Sequence, residues 1–172
     1  MCSELIEAIS VARASGRRVK LTANLPYNIA SPLVIEMLMA GVELLAFTVQ
    51  KEVALRLRAE PGSDDYGGLS VMAQMLARVE ILRTLPAQAF WPPPKIESAL
   101  VRLVREDKLG ERARAFGEFV QSLFSFRRKT LRRALAQAGL DGDRILAATG
   151  MDGAKRAEEF APREFLKLFE AI

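Results

Sequence analysis

Up to about residue 105, short apolar runs of strand length alternate with stretches of helical periodicity; beyond it, only the helical period persists. That order confines the first part to an α/β sheet containing parallel strands. The strand candidates are 19–23, 43–49, 78–85 and 98–105. Between them the spacing of Leu5, Ile6 and Ile9 predicts a helix over 3–14, stopped by Gly16. Ser31 then reads as an N-cap with Pro32 at the first helical position, opening a helix through Leu33, Val34, Met37 and Leu38 to Gly41. Further helices are expected over 51–58 and 69–77. The Gly- and Asp-rich segment 60–68 is a loop, with Asp64 and Asp65 as turn residues. Pro92, Pro93 and Pro94 remove three backbone donors, so strands 78–85 and 98–105 are joined without a helix. Such a link suits an antiparallel strand at the edge of a mixed sheet.

A polar joint at 106–110 precedes the helical part. Phe116, Phe119, Val120, Leu123 and Phe124 form a core-facing stripe. Leu131 and Leu135 continue in a second helix ending near Gly139, a third covers 141–148, and Pro162 opens a last one carrying Phe165, Leu166 and Phe169. The expected division is therefore 1–106 and 107–172.

Composition narrows the chemistry. Half of the 172 residues are hydrophobic and 27% are charged, as in chains that bury a substantial core. No apolar run approaches the ~20 residues of a membrane-spanning helix. The single cysteine, Cys2, leaves no internal disulfide and fits a cytoplasmic location. With no histidine, a structural zinc site is excluded and the commonest general base is absent. The net charge is +4, and its distribution says more: Arg127, Arg128, Lys129, Arg132 and Arg133 place five cations within seven residues. Such a run is commonly a solvated helix face; on one helix, however, Arg128/Arg132 and Lys129/Arg133 would repel at i, i+4, which adds weight to an anionic partner such as RNA.

The most specific local signal is Asn24-Leu25-Pro26-Tyr27, where the first strand ends. Such a string can be a simple turn. It also offers a side-chain amide, a backbone carbonyl fixed by proline and an aromatic ring, which suits the exocyclic amine of adenine. The N6 lone pair is delocalised into the ring. Two acceptors, the Asn24 amide oxygen and the Leu25 carbonyl, favour a more tetrahedral nitrogen aimed at a methyl donor. Tyr27 can stack on a base taken out of its helix, and Phe90, on the proline-stiffened loop, can close the other face or fill the core.

These residues come in a familiar order: Asn24-Leu-Pro-Tyr-Asn-Ile-Ala-Ser-Pro-Leu, Gln50-Lys-Glu-Val-Ala, Tyr66-Gly-Gly-Leu-Ser-Val, Phe90-Trp-Pro-Pro-Pro-Lys-Ile-Glu-Ser-Ala and Phe126-Arg-Arg-Lys-Thr-Leu. From about residue 19 onward the chain resembles the ribosomal RNA adenine dimethyltransferases, in particular the bacterial enzymes that dimethylate two adjacent adenines of small-subunit RNA. The resemblance implies a Rossmann-like methyltransferase sheet of about four strands, incomplete and mixed, followed by a small helical domain. It implies S-adenosylmethionine as cofactor, with Asn24 beside the donor methyl. Tyr27 and Phe90 would sandwich the adenine, and the helical domain would dock on pre-ribosomal RNA of the small subunit through Arg127–Arg133.

Family members begin with roughly a hundred further residues carrying a Gly-rich loop and an acidic strand end for the donor. The present sequence has no Gly-x-Gly. It is therefore expected to be the C-terminal part of such an enzyme, inactive by itself, with the 19–23 strand a bare edge that pairs with another copy or is covered by an N-terminal segment. Two alternatives stay open: a non-catalytic RNA-binding or ribosome-assembly module, and the antibiotic-resistance branch acting on large-subunit RNA.

Overall fold

A computed structural model describes residues 3–172; Met1 and Cys2, and with them the disulfide expectation, lie outside the described residues. In chain order the elements are α1 (Ser3–Ala14), β1 (Lys20–Asn24), α2 (Ala30–Met39), β2 (Leu44–Gln50), α3 (Lys51–Arg58), α4 (Gly68–Leu76), β3 (Ala77–Leu85) and β4 (Ser98–Arg105). Then come α5 (Ala113–Ser125), α6 (Leu131–Gln137), α7 (Gly142–Thr149) and α8 (Pro162–Glu170).

The four strands form one sheet in the order β1-β2-β4-β3. β1 and β2 are parallel, and β4 is antiparallel to both β2 and β3. Sequence reading expected the antiparallel strand at the edge. The reversing strand β4 instead lies inside, and β3 takes the margin. Burial explains this: Val101 and Leu103 of β4 are fully buried between neighbours on both sides, whereas β3 exposes Arg83 and Thr84.

Strand alternation sorts the side chains into two faces. Leu45, Phe47 and Val49 pair with Leu103, Val101 and Ala99, and all are buried. α3 packs against β2, β3 and β4, and α4 packs against α2 and α3. The other face carries half-exposed Leu44, Ala46, Leu100 and Val104 beside the Arg102–Glu80 ion pair. At the far margin β1 pairs only with β2. Leu25 N–H and Val19 C=O both bond toward β2. Strand alternation then turns the backbone groups of Lys20, Thr22 and Asn24 outward, without a strand partner among the described residues.

α2 begins earlier than expected, at Ala30 after Ile29. The turn at 26–29 runs straight into it, through Ile29 N–H to Pro26 C=O and Leu33 N–H to Ile29 C=O. Pro32 is tolerated because first-turn N–H groups have no intrahelical acceptor.

The helical part shares the core. α4 packs against both α5 and α8. Phe124 stacks on Phe165 at 5.5 Å, and Phe169 meets Phe116 edge-on at 5.6 Å. Tyr66, fully buried before α4, donates its hydroxyl to the Phe160 carbonyl at 2.8 Å. Burial, reinforced by Glu164, raises the Tyr66 phenol well above the ordinary tyrosine value. Below about pH 10 the phenol is neutral whether folded or unfolded, so its contribution to stability is fully present there. As pH rises further, the unfolded chain ionises first and that contribution is lost. Equilibrium denaturation should therefore show stability declining above about pH 10, with a smaller decline in Tyr66→Phe. An equal slope in the two proteins would refute this role for Tyr66.

Candidate functional site

β1, β2 and β3 all end on one edge of the sheet, where β4 begins: Asn24 pairs with Thr48, and Ser98 lies opposite both Gln50 and Leu85. In open α/β sheets this carboxyl edge is where ligands bind. Three connections leave it: the 24–29 segment into α2, the step from Gln50 directly into α3, and the arch 86–97 between β3 and β4.

Side chains cross-link these connections. Asn24 is the last residue of β1 and is exposed. The Thr48 hydroxyl on β2 donates to Asn24 Oδ1, fixing the amide plane. An amide oxygen has a second lone pair, so Oδ1 can still accept from a ligand. Leu25 N–H donates to the Thr48 carbonyl at 3.2 Å, while the Leu25 side chain is buried. The Leu25 carbonyl itself has no partner among the described residues. Pro26 is exposed, and its carbonyl closes the turn from Ile29 N–H at 3.2 Å. Tyr27 is half-buried, its hydroxyl 2.9 Å from the Ser98 hydroxyl oxygen. Lys51 reaches back to the arch twice, by N–H to the Glu97 carbonyl at 3.0 Å and by an ion pair to its carboxylate at 2.8 Å.

Two acceptors thus lie on consecutive residues at the strand tip, the Asn24 oxygen and the Leu25 carbonyl. That is the donor-acceptor match for a planar –NH₂ group. Phe90 sits on the arch, half-buried, and makes no ring contact with Tyr27 among the described residues. Thr48 and Ser98, which steady Asn24 and Tyr27, were not anticipated. Thr48 had a signal: it is the hydroxyl in the otherwise apolar run Phe47-Thr48-Val49. A cleft of about 620 Å³ between α2, α4 and α5 is lined by Ile35, Met39, Met72 and Phe124 and by none of these site residues.

The basic run is not one helix. α5 ends at Ser125, residues 126–130 form a turn, and α6 starts at Leu131. The expected i, i+4 repulsion along a continuous helix therefore does not arise. Tertiary contacts override the local helical composition: Thr130 bridges to Arg156, Leu131 N–H donates to the Lys155 carbonyl at 2.7 Å, and Arg132 N–H donates to the Gly153 carbonyl at 3.1 Å. All five cations are exposed, but they differ in freedom. Arg127 is held by Glu158 and by the Asp64 carbonyl, and Arg132 pairs with Asp143. Arg128, Lys129 and Arg133 have no ion-pair partner among the described residues. Arg128 and Lys129 line a shallow cleft of about 320 Å³ with Phe126 and Gln137.

Comparison with known proteins agrees with the sheet. A dimethyladenosine transferase from Plasmodium falciparum superposes with a TM-score of 0.73 at 24% identity, over 87% of this chain and 65% of that one. The 23S rRNA methyltransferase ErmE superposes with a TM-score of 0.61 at 26% identity, over 88% of this chain and 64% of that one. The fold is thus an α/β sheet of the Rossmann-like methyltransferase class. Residues 1–172 match the family model described as ribosomal RNA adenine dimethylase, and the chain belongs to that family. Proteins named ribosomal RNA small subunit methyltransferase A are 42% identical over 156 residues in Rubrobacter xylanophilus and 41% identical over 169 residues in Magnetococcus marinus. These matches cover 89% and 95% of the chain but 60% and 61% of those relatives, so the chain spans about 60% of their length.

Proposed function

We propose that this chain is the carboxyl-terminal part of an S-adenosylmethionine-dependent enzyme that dimethylates adenine N6 in small-subunit ribosomal RNA during ribosome biogenesis in the cytoplasm. The supporting observation is the strand tip, where an oriented Asn24 amide stands beside an unpartnered Leu25 carbonyl. The names of the relatives point to the small subunit.

Toward the cofactor, the residues present fit one end only. Asn24 would lie beside the donor's methyl. With no Gly-x-Gly in the sequence, the chain offers no cradle of that type for the donor's amino-acid end. When bound, the sulfonium supplies an electrophilic methyl carbon. Asn24 Oδ1 and the Leu25 carbonyl accept hydrogen bonds from the two N6 hydrogens and draw the nitrogen lone pair out of conjugation with the ring. The donor would keep the C–S electron pair as its methyl passes to N6, so the transfer balances. The spare N6 proton leaves to water, without a strong base. The second transfer repeats the step with one hydrogen left to hold. Tyr27, positioned through Ser98, and Phe90 on the arch take the two faces of the base. The outward edge of β1 pairs with a further strand, supplied by more of the same polypeptide or by a second copy. Residues 107–172 form the RNA-docking unit, with Arg128, Lys129 and Arg133 toward phosphate.

Methylation assays with isolated small- and large-subunit RNA, using protein extended to the length of its relatives, test this reading. Transfer to small-subunit RNA supports it. Transfer confined to large-subunit RNA transfers the chain to the resistance branch, and no transfer with intact RNA binding favours the assembly module. Charge reversal at Arg128 and Lys129 is expected to weaken RNA binding about evenly across sequences and to reduce the slope of log affinity against log salt by about two. An unchanged slope would mean that this turn only meets solvent.

A further inference from the structure

Trp91 is the only tryptophan in the chain, and it stands 95% exposed. A tryptophan that packs buries about 150–250 Å², and this residue type is highly buried on average, so a ring left in water is unusual. Its place is specific. It follows Phe90 on the arch 86–97, at the same edge of the sheet as Asn24 and Tyr27. Pro92, Pro93 and Pro94 follow it and restrict the backbone, so holding the ring outward has a low entropic cost. The arch is anchored at its far end by Lys51 on Glu97. Lys95, on the same arch, is exposed and has no ion-pair partner among the described residues. An outward indole on a stiff loop that also carries an exposed cation matches the recognition of single-stranded nucleic acid, where a base face stacks on the ring and a phosphate meets the charge.

We propose that Trp91 is a stacking platform for an unpaired nucleotide flanking the target adenine, with Lys95 taking its phosphate. It lies outside the pair Tyr27 and Phe90 and acts on substrate placement rather than on methyl transfer itself. The proposal rests on the RNA reading above.

Because the indole is unique, it reports its own contacts. The 172-residue chain is titrated with a short single-stranded oligoadenylate carrying a fluorescent end label. Tryptophan emission and label anisotropy are followed together. The expected result is quenching that saturates with the anisotropy change. Trp91→Ala should weaken the anisotropy-measured affinity by about five- to a hundredfold, the weight of one stacked base. Trp91→Phe should retain most of it, and since the side chain touches no core, both variants should fold. Binding seen by anisotropy with constant emission, and with Trp91→Ala equal to the parent, overturns the Trp91 assignment and leaves the RNA reading standing. No anisotropy change at low salt overturns both. Emission that shifts with protein concentration, without RNA, means that a second copy covers the indole and also overturns it.

Discussion

Replacing Asn24 with alanine, in protein extended to the length of its relatives, should lower methyl transfer to small-subunit RNA by at least about a hundredfold, while RNA affinity stays that of the parent. The amide is exposed at the strand tip and oriented by a neighbour, through the Thr48 hydroxyl. Alanine leaves the Leu25 carbonyl alone to hold an amine with two hydrogens, so the lone pair is no longer steered out of conjugation. RNA binding is expected to survive because, among the described residues, Arg128, Lys129 and Arg133 make no hydrogen bond or ion pair with Asn24. The readout is methyl incorporation under single-turnover conditions beside a binding isotherm. Parent-like turnover would remove Asn24 from the reaction, and a joint loss of binding and turnover would make it a structural residue.

Phe165→Ala should cost about 3–5 kcal/mol of folding stability. For a chain of this length that corresponds to a fall in melting temperature of roughly 6–20 °C. Phe165 is fully buried on α8 and stacks on Phe124 of α5, with rings 5.5 Å apart. Its removal leaves a void where α8 meets α4 and α5. Since α4 also packs on β3 and α3, the loss is expected to propagate into the sheet layer as one cooperative transition. Calorimetry showing an early transition for the helices and an unshifted one for the sheet would instead make residues 107–172 an independent folding unit.

The elements that sequence reading placed well are those whose pattern is set by a single buried face. β4 alternates because Ala99, Val101 and Leu103 point into the helix layer while Leu100 and Arg102 do not. α5 was visible because Phe116, Phe119, Val120 and Leu123 are all buried on one stripe. The turn at 126–130 was not legible. Arg127, Arg128 and Lys129 are good helix formers, and the turn is tied instead by a bridge from Thr130 to Arg156, a contact between segments far apart in sequence. The position of β4 inside the sheet was equally hidden, because strand order depends on which partners bury most, not on local pattern. At the strand tip, the tetrapeptide could be read directly, but its supports Thr48 and Ser98 come from other strands and become neighbours only through sheet register.

The hydrogen bond between Tyr27 and Ser98 ties the tip of one strand to the root of the arch. On the proposed reading, in which Tyr27 and Phe90 take the two faces of a base, the ring and the loop would be mechanically geared through this bond. A displacement of the arch would then pull on the phenol, so that clamping the base and aligning its amine would be a single motion rather than two independent adjustments.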